Sequence, residues 1–211
     1  TVFVPVNNWI LVTKDGGENW EQILFPSGNV SCVGWDAQDK MLAACYDGIF
    51  RYDALNNEWN DISNGIYRRR IEKILFTTEN TILVFSIQKC FRSTDGGESW
   101  DKIKIDPTVI ANYYPAALTA STGNIFVSAS FDNYNESGLL RSTDDGVSWE
   151  RISVLSNPYN ITGIIEDPDG NIFISTYRAN IFMTTDQGET WSQVVIGKYG
   201  ENISCINVDK N

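Results

Sequence analysis

The chain has no histidine among its 211 residues. Histidine is the commonest general base near neutral pH and the commonest zinc ligand. A Ser-His-Asp triad is therefore excluded, and most zinc centres with it. Cysteine is scarce: Cys32, Cys45, Cys90 and Cys205 fit no zinc spacing. Cys32 and Cys45 would face each other in a hairpin turning near Gln38-Asp39. A free Cys behaves as a small hydrophobe, however, so buried thiols are expected rather than a bridge. Basic residues are outnumbered, 16 Lys and Arg against 27 Asp and Glu, for a net charge of −11. That balance repels a phosphate backbone and argues against nucleic acid as a partner. No apolar run approaches the ~20 residues of a membrane-spanning helix. No initiator Met is present, and the chain opens inside the apolar run Val2-Phe3-Val4. It is read as a mature or excised domain whose targeting segment lies outside this sequence.

What is present is aromatic and repetitive. Seven Trp, nine Tyr and ten Phe are a heavy aromatic load that favours strands. One octet recurs. It reads Thr13-Lys14-Asp15-Gly16-Gly17-Glu18-Asn19-Trp20, then Ser93-Thr94-Asp95-Gly96-Gly97-Glu98-Ser99-Trp100. It returns as Ser142-Thr143-Asp144-Asp145-Gly146-Val147-Ser148-Trp149 and as Thr184-Thr185-Asp186-Gln187-Gly188-Glu189-Thr190-Trp191. A degenerate copy holds Tyr52-Asp53 and Trp59, with Asn56-Asn57 in place of the glycine. The closing Trp residues stand 39, 41, 49 and 42 positions apart. A period of that size suits one four-stranded propeller blade.

The pattern S/T-x-D-x-G-x-S/T-W resembles the Asp-box (BNR) repeat. That superfamily includes sialidases, xyloglucan-active glycosidases, the sortilin ectodomain and the photosystem II assembly factor. The resemblance covers the whole chain and implies an all-β fold, a five-bladed β-propeller of four-stranded antiparallel blades. Asn19 departs at the hydroxyl position, and the second copy has lost most of the motif. Both departures point to a structural unit that tolerates decay.

The residue types of the octet have physical reasons. The Asp carboxylate and Ser/Thr hydroxyl can accept backbone N–H bonds across a turn. Gly supplies a positive φ. Trp anchors the turn between sheets; burying ~200 Å² of indole contributes roughly 5 kcal/mol before entropy. Asp15, Asp53, Asp95, Asp144 and Asp186, with Trp20, Trp59, Trp100, Trp149 and Trp191, are accordingly read as structural.

In the last repeat Ile161–Glu166 is the first expected strand, and Asp167-Pro168-Asp169-Gly170 the turn. Asn171–Thr176, Ile181–Thr184 and Trp191–Val195 follow as strands. Other first strands are expected to begin near Val30, Ile71 and Tyr113. Asn202–Asp209 aligns with a first strand and Val2–Val6 with a second. The expectation is one domain over 1–211, with repeats at 1–28 plus 201–211, 29–69, 70–111, 112–158 and 159–200. The C-terminal strand would pair with the N-terminal strands and close the ring. A truncated excerpt from a larger propeller is the alternative.

The Asp-box turn joins third and fourth strands. Second-to-third turns and blade linkers therefore share the opposite face, where function is sought. Tyr46, Tyr134 and Tyr177 map to such turns, and Tyr67, Tyr113, Tyr114, Tyr159 and Tyr199 to linkers. Arg68, Arg69, Arg70 and Arg178 join them, with Glu72, Asp132 and Glu136. Tyr with interspersed Arg and carboxylates is the composition of a sugar- or protein-binding surface. The candidate ligand-binding set is Tyr67, Arg69, Glu72, Tyr113, Tyr114, Asp132, Tyr134, Tyr159, Tyr177 and Arg178. Asn29, Asn112, Asn160 and Asn202 precede first strands and are read as linker caps. Phe131–Gly138 is the longest second-to-third loop and the expected flap.

Two enzymatic readings compete. Sialidase resemblance implies three Arg holding a substrate carboxylate. Arg51, Arg92 and Arg141 instead precede Asp-boxes on third strands and are read as structural, and the Arg-Ile-Pro signature is missing. Glycoside hydrolysis needs two carboxylates. First strands offer only Glu72, with Ser31, Tyr114, Thr162 and Ser204 at equivalent places, leaving Asp132 or Glu136 as a second candidate. The favoured reading is a non-catalytic recognition module for a glycan or a protein, with no cofactor, no metal and no membrane insertion; an exo-glycosidase is the alternative. The resemblance implies an extracytoplasmic setting. Asn29, Asn135, Asn160 and Asn202 open glycosylation-type triplets.

Overall fold

The structure is a computed structural model. It describes residues 1–36, 38–66, 70–86, 89–105, 109–111, 116–131, 136–152, 161–177, 180–195 and 203–209. Every regular element among them is a strand, and the strands form five antiparallel sheets. The first sheet holds β1 (Val2–Val6), β2 (Trp9–Thr13) and β3 (Glu21–Leu24). The second holds β4 (Cys32–Trp35), β5 (Met41–Ala44), β6 (Ile49–Asp53) and β7 (Glu58–Asp61). The third holds β8 (Ile71–Phe76), β9 (Ile82–Ser86), β10 (Lys89–Ser93) and β11 (Asp101–Ile103). The fourth holds β12 (Val109–Ala111), β13 (Ala117–Thr119), β14 (Ile125–Phe131), β15 (Glu136–Ser142) and β16 (Glu150–Ile152). The fifth holds β17 (Ile161–Glu166), β18 (Ile172–Thr176), β19 (Asn180–Thr184) and β20 (Ser192–Val195).

The chain divides into two compact units. One is Thr1–Phe76 with Asn80–Lys102, the other Thr77–Glu79 with Ile103–Asn211. Within each unit, successive sheets share a core. Strand alternation sends neighbouring side chains to opposite faces. On β5, Met41 and Ala43 pack with Ile10, Val12 and Phe25 of the first sheet's side. Leu42 and Ala44 pack with Ile71, Ile82 and Val84 of the third sheet. Cys32 and Cys45 are divided in the same way, one in each cluster, so the expected free thiols are found and no bridge forms. Burial pushes the Cys32 thiol up to about 11. In the second unit, Phe126, Leu139 and Ile152 pack with Ile161, Ile172 and Ile174.

The octets form the expected turns. Asp95 accepts from the Ser93 hydroxyl at 2.7 Å, from the Ser99 N–H at 2.9 Å and from the Ser99 hydroxyl. Ser93 Oγ accepts the Gly97 N–H at 2.7 Å. The fourth and fifth octets repeat this around Asp144 and Asp186. At the departure noted in the sequence, the Asn19 side-chain amide donates to Asp15 at 2.7 Å, so it replaces the hydroxyl. Gly97 needs its glycine twice over. Its φ is +95°, and a Cβ there would lie 2.8 Å from Ile62 Cδ1 of the second sheet. Gly188 likewise presses on Phe126 and Ile152 of the fourth sheet.

Several sequence expectations need correcting. The Trp side chains are half-buried, and Trp20 is 43% exposed, so each contributes less than full burial would. Trp59 and Trp100 donate to Leu24 and Ile62 carbonyls of the preceding sheet. Trp20, Trp149 and Trp191 bond within their own octets. The start of the first strand expected near Tyr113 lies outside the described residues; β12 before it and β13 after it both pair with β14. The described ends of the expected flap are ladder, because Phe131 pairs with Glu136 and Ala129 with Gly138, and residues 132–135 lie outside the described residues. Among the described residues the first sheet holds three strands, and β1 pairs with β2. Ile203–Asp209 forms no strand; Ile206 lies against Gly163 of β17, where a Cβ would meet it at 2.8 Å.

Two outcomes are expected. Trp100→Ala lowers stability by about 2–3 kcal/mol in urea unfolding, while Trp20→Ala costs about 1 kcal/mol. The second concerns acid. The Ser99 hydroxyl and N–H hold the Asp95 carboxyl at about 2, and those of Thr190 hold Asp186 at about 2. Folded values below the unfolded one add stability at neutral pH that is lost as pH falls from about 4 toward 2. Urea midpoints measured from pH 5 to pH 2.5 should therefore fall less steeply for the double variant Asp95→Asn, Asp186→Asn than for wild type.

Candidate functional site

Of the residues expected to bind a ligand, Tyr67, Arg69, Tyr113, Tyr114, Asp132, Tyr134, Tyr159 and Arg178 lie outside the described residues. So do Arg68, Tyr199, Asn112, Asn135, Asn160 and Asn202. Glu136 opens β15 opposite Phe131. Tyr46 and Tyr177 are described, each following the second strand of its sheet, and they are 60% and 54% exposed. Both therefore stand at the end opposite the octet turn of their own sheets. Asn29 is exposed ahead of β4.

First strands carry a shared irregularity. The β8–β9 register slips between Ile71 and Lys73, which makes Glu72 a bulge residue. The β17–β18 register slips between Ile161 and Gly163, which does the same for Thr162. Bulges re-aim a side chain at a sheet's end. The hydroxyls at such places find partners on the second strand. Thr162 Oγ1 lies 2.9 Å from Ser175 Oγ, and Ser31 donates to the Ala44 carbonyl at 3.0 Å.

Glu72 is the exception. Its side chain is 1% exposed, and among the described residues neither carboxylate oxygen has a hydrogen-bond partner. Arg70 Nε stands 2.9 Å from Oε1, an ion pair without aligned hydrogen-bond geometry. Burial pushes the Glu72 carboxyl above the usual range, and Arg70 pulls it partly back. A buried carboxylate so poorly satisfied costs stability, and such groups cluster at functional sites.

The third-strand arginines are occupied elsewhere. Arg141 Nε donates to Glu150 at 2.6 Å and Nη1 to the Gln187 carbonyl at 2.8 Å; Nη2 pairs with Glu189 at 2.7 Å. Its fork thus ties the fourth sheet to the fifth octet. Arg51 sits near Gly96 and pairs with Glu98 of the third octet at 3.9 Å and with buried Asp36 at 3.7 Å. Arg92 donates to Thr81. These side chains serve structure, as the sequence implied. Among the described residues no three His, Cys, Asp or Glu side chains gather to hold a metal.

Sequence reasoning missed a second concavity. A cavity of about 1250 Å³ runs along the β6–β7 turn and is lined by side chains of the first and second sheets. The signal was the decayed second octet.

Sheets whose third and fourth strands are joined by octet turns, with the third and fifth turns docked on the sheet before, define an Asp-box repeat protein of the β-propeller class. Residues 52–210 match the family described as photosynthesis system II assembly factor YCF48, and the chain belongs to that family. It is 26% identical over 115 residues to the vacuolar protein sorting/targeting protein PEP1 of Saccharomyces cerevisiae, a match over 50% of this chain and 7% of that protein. The chain thus spans under a tenth of that relative's length. Among solved structures it resembles YCF48 bound to a D1 peptide, with TM-score 0.67 and 15% identity over 89% of this chain and 61% of that one. It also resembles the GH74 xyloglucanase of Xanthomonas campestris, with TM-score 0.70 and 17% identity over 90% of this chain and 34% of that one. At such identities these likenesses concern the fold.

Glu72 yields a pH prediction opposite in sign to Asp95. A carboxyl whose folded value is raised costs stability above its unfolded value, and the cost vanishes on acidification. Glu72→Gln should raise the melting temperature at pH 7 by a few degrees and leave it unchanged near pH 4.

Proposed function

We propose that the chain is a non-catalytic recognition module that binds a protein partner at the sheet ends opposite the octet turns. The observation that carries this reading is Glu72, a buried carboxylate without a hydrogen-bond partner among the described residues, on a bulge at the start of β8, the end opposite the octet turn. Exposed Tyr46 and Tyr177 supply large amphipathic contact area at the same end of their own sheets. YCF48, the protein that names the family, has been solved with a D1 peptide, which favours a protein ligand. The exposed tyrosines also suit stacking on a sugar, so a glycan is the second reading. An exo-glycosidase finds less support, because Glu72 pairs with Arg70 and the third-strand arginines are engaged. The setting is extracytoplasmic in this reading.

The architecture belongs to the proposal as well. The five sheets are read as blades of one domain, with Ile203–Val208 taking the empty first-strand place beside β1. First strands pack on one another in succession, β4 on β8 and β13 on β17. Ile206 takes the corresponding place beside β17 at Gly163. The uncovered strand β1 leaves Val2 52% and Val6 42% exposed.

Peptides selected from a displayed random library should lose at least tenfold in affinity on Tyr114→Ala or Arg69→Ala, with melting temperatures unchanged. Binding that survives both changes places the site elsewhere. Turnover of a chromogenic glycoside that disappears in Glu72→Gln would overturn the non-catalytic reading. For the architecture, Val4→Cys should form an intramolecular disulfide with exposed Cys205 on mild oxidation. Cross-linked dimers alone on a non-reducing gel would put the segment in another molecule.

A further inference from the structure

The cavity at the second octet follows from two coupled losses. In the third and fifth sheets the octet glycine presses on the residue three places after the preceding Trp: Gly97 on Ile62 and Gly188 on Ile152. The equivalent residue of the first sheet is Ile23. The second octet has no glycine; its turn is held by Asp53 accepting from the Leu55 N–H and the Asn56 amide. Leu55 at its tip is 96% exposed. The arginine that ties a sheet to the next octet is missing as well. Val12 stands where Arg51 and Arg141 stand in their sheets. Ile23, half-buried, therefore lines open space instead of supporting a turn, and Val12 stays packed in the core beneath it.

The space has a definite chemistry. Phe3, Ile23 and Trp35 supply the accessible apolar wall, over the buried side chains of Val12 and Met41. Phe3 and Trp35 meet edge to face at 5.0 Å. Acidic side chains dominate the rim. Arg51 is engaged by Asp36 and Glu98, and Lys14 by Glu21. Lys40 then stands against Asp39, Asp53 and Asp61. The Asn56 amide and the Leu55 N–H hold the Asp53 carboxyl below the usual range, so it stays ionised. A second copy of this chain, at net charge −11, would be repelled by such a rim.

We propose that this groove binds an extended peptide segment of a partner protein, carrying aliphatic or aromatic side chains between Lys or Arg residues. The apolar side chains take the place an octet turn occupies in the other sheets. The basic residues meet the rim carboxylates. This site is independent of the tyrosine-bearing ends, and its variants touch none of those residues.

Fluorescence anisotropy with a labelled decapeptide of alternating Leu and Lys tests it. That probe should bind at least tenfold tighter than Leu–Glu and Ser–Lys counterparts and weaken as salt rises. The variant Asp39→Asn with Leu55→Ser keeps the fold, because both positions are exposed turn residues, and should lose about fivefold. Replacing residues 52–58 by Ser-Thr-Asp-Gly-Gly-Glu-Ser together with Val12→Arg restores the octet and its arginine; it should abolish binding and raise the melting temperature. Equal binding of the Ser–Lys peptide would reduce the effect to charge alone and overturn the proposal. Undiminished binding by both variants, no binding of the Leu–Lys probe, or preferential capture of a xyloglucan oligosaccharide by the groove would also overturn it.

Discussion

The fold depends on strands that are apolar on both faces. β5 and β9 are buried along their whole length, so neither face can meet water. A sheet built around such a strand cannot stand alone. It must be covered on each side by another sheet, which in turn needs its own cover. Stacked sheets within each unit are the consequence. The four strands of a repeat supply one layer of core and borrow the next.

Octet turns lock this stacking. The Asp and Ser or Thr side chains close the turn on itself, and that part is local chemistry. The glycines of the third and fifth octets, the Trp of the second and third, and Arg51 and Arg141 then reach a neighbouring sheet. The motif therefore does two things, one within its hairpin and one across a gap. The second octet keeps an Asp that ties its own hairpin and a Trp that reaches Leu24. It has lost the glycine that fills the gap, and a groove opens there. Decay in a repeat array is thus a change of surface as well as a loss of pattern.

Much was legible without coordinates. The last repeat's strands begin and end within a residue of their sequence-based bounds, because alternation, an Asp-Gly turn and the octet punctuate them clearly. The arginine roles were legible too, since Arg51, Arg92 and Arg141 share one place in the repeat. The pairing of Val109–Ala111 with β14 was not, because ladder hydrogen bonds are not encoded in a side-chain pattern. For the same reason the ladder Phe131–Glu136 passed for loop. Glu72 stood out by type, but its burial and lack of hydrogen bonds are properties of its surroundings.

By itself the sequence determined the class of fold, the period of the repeat and the chemistry of each turn. All three are local, set by residues a few positions apart. Only the tertiary structure decided which face of each strand meets which neighbour, where a carboxylate is stranded without donors, and that the first sheet carries three strands. Those outcomes turn on contacts between residues tens of positions apart, which no window of sequence contains.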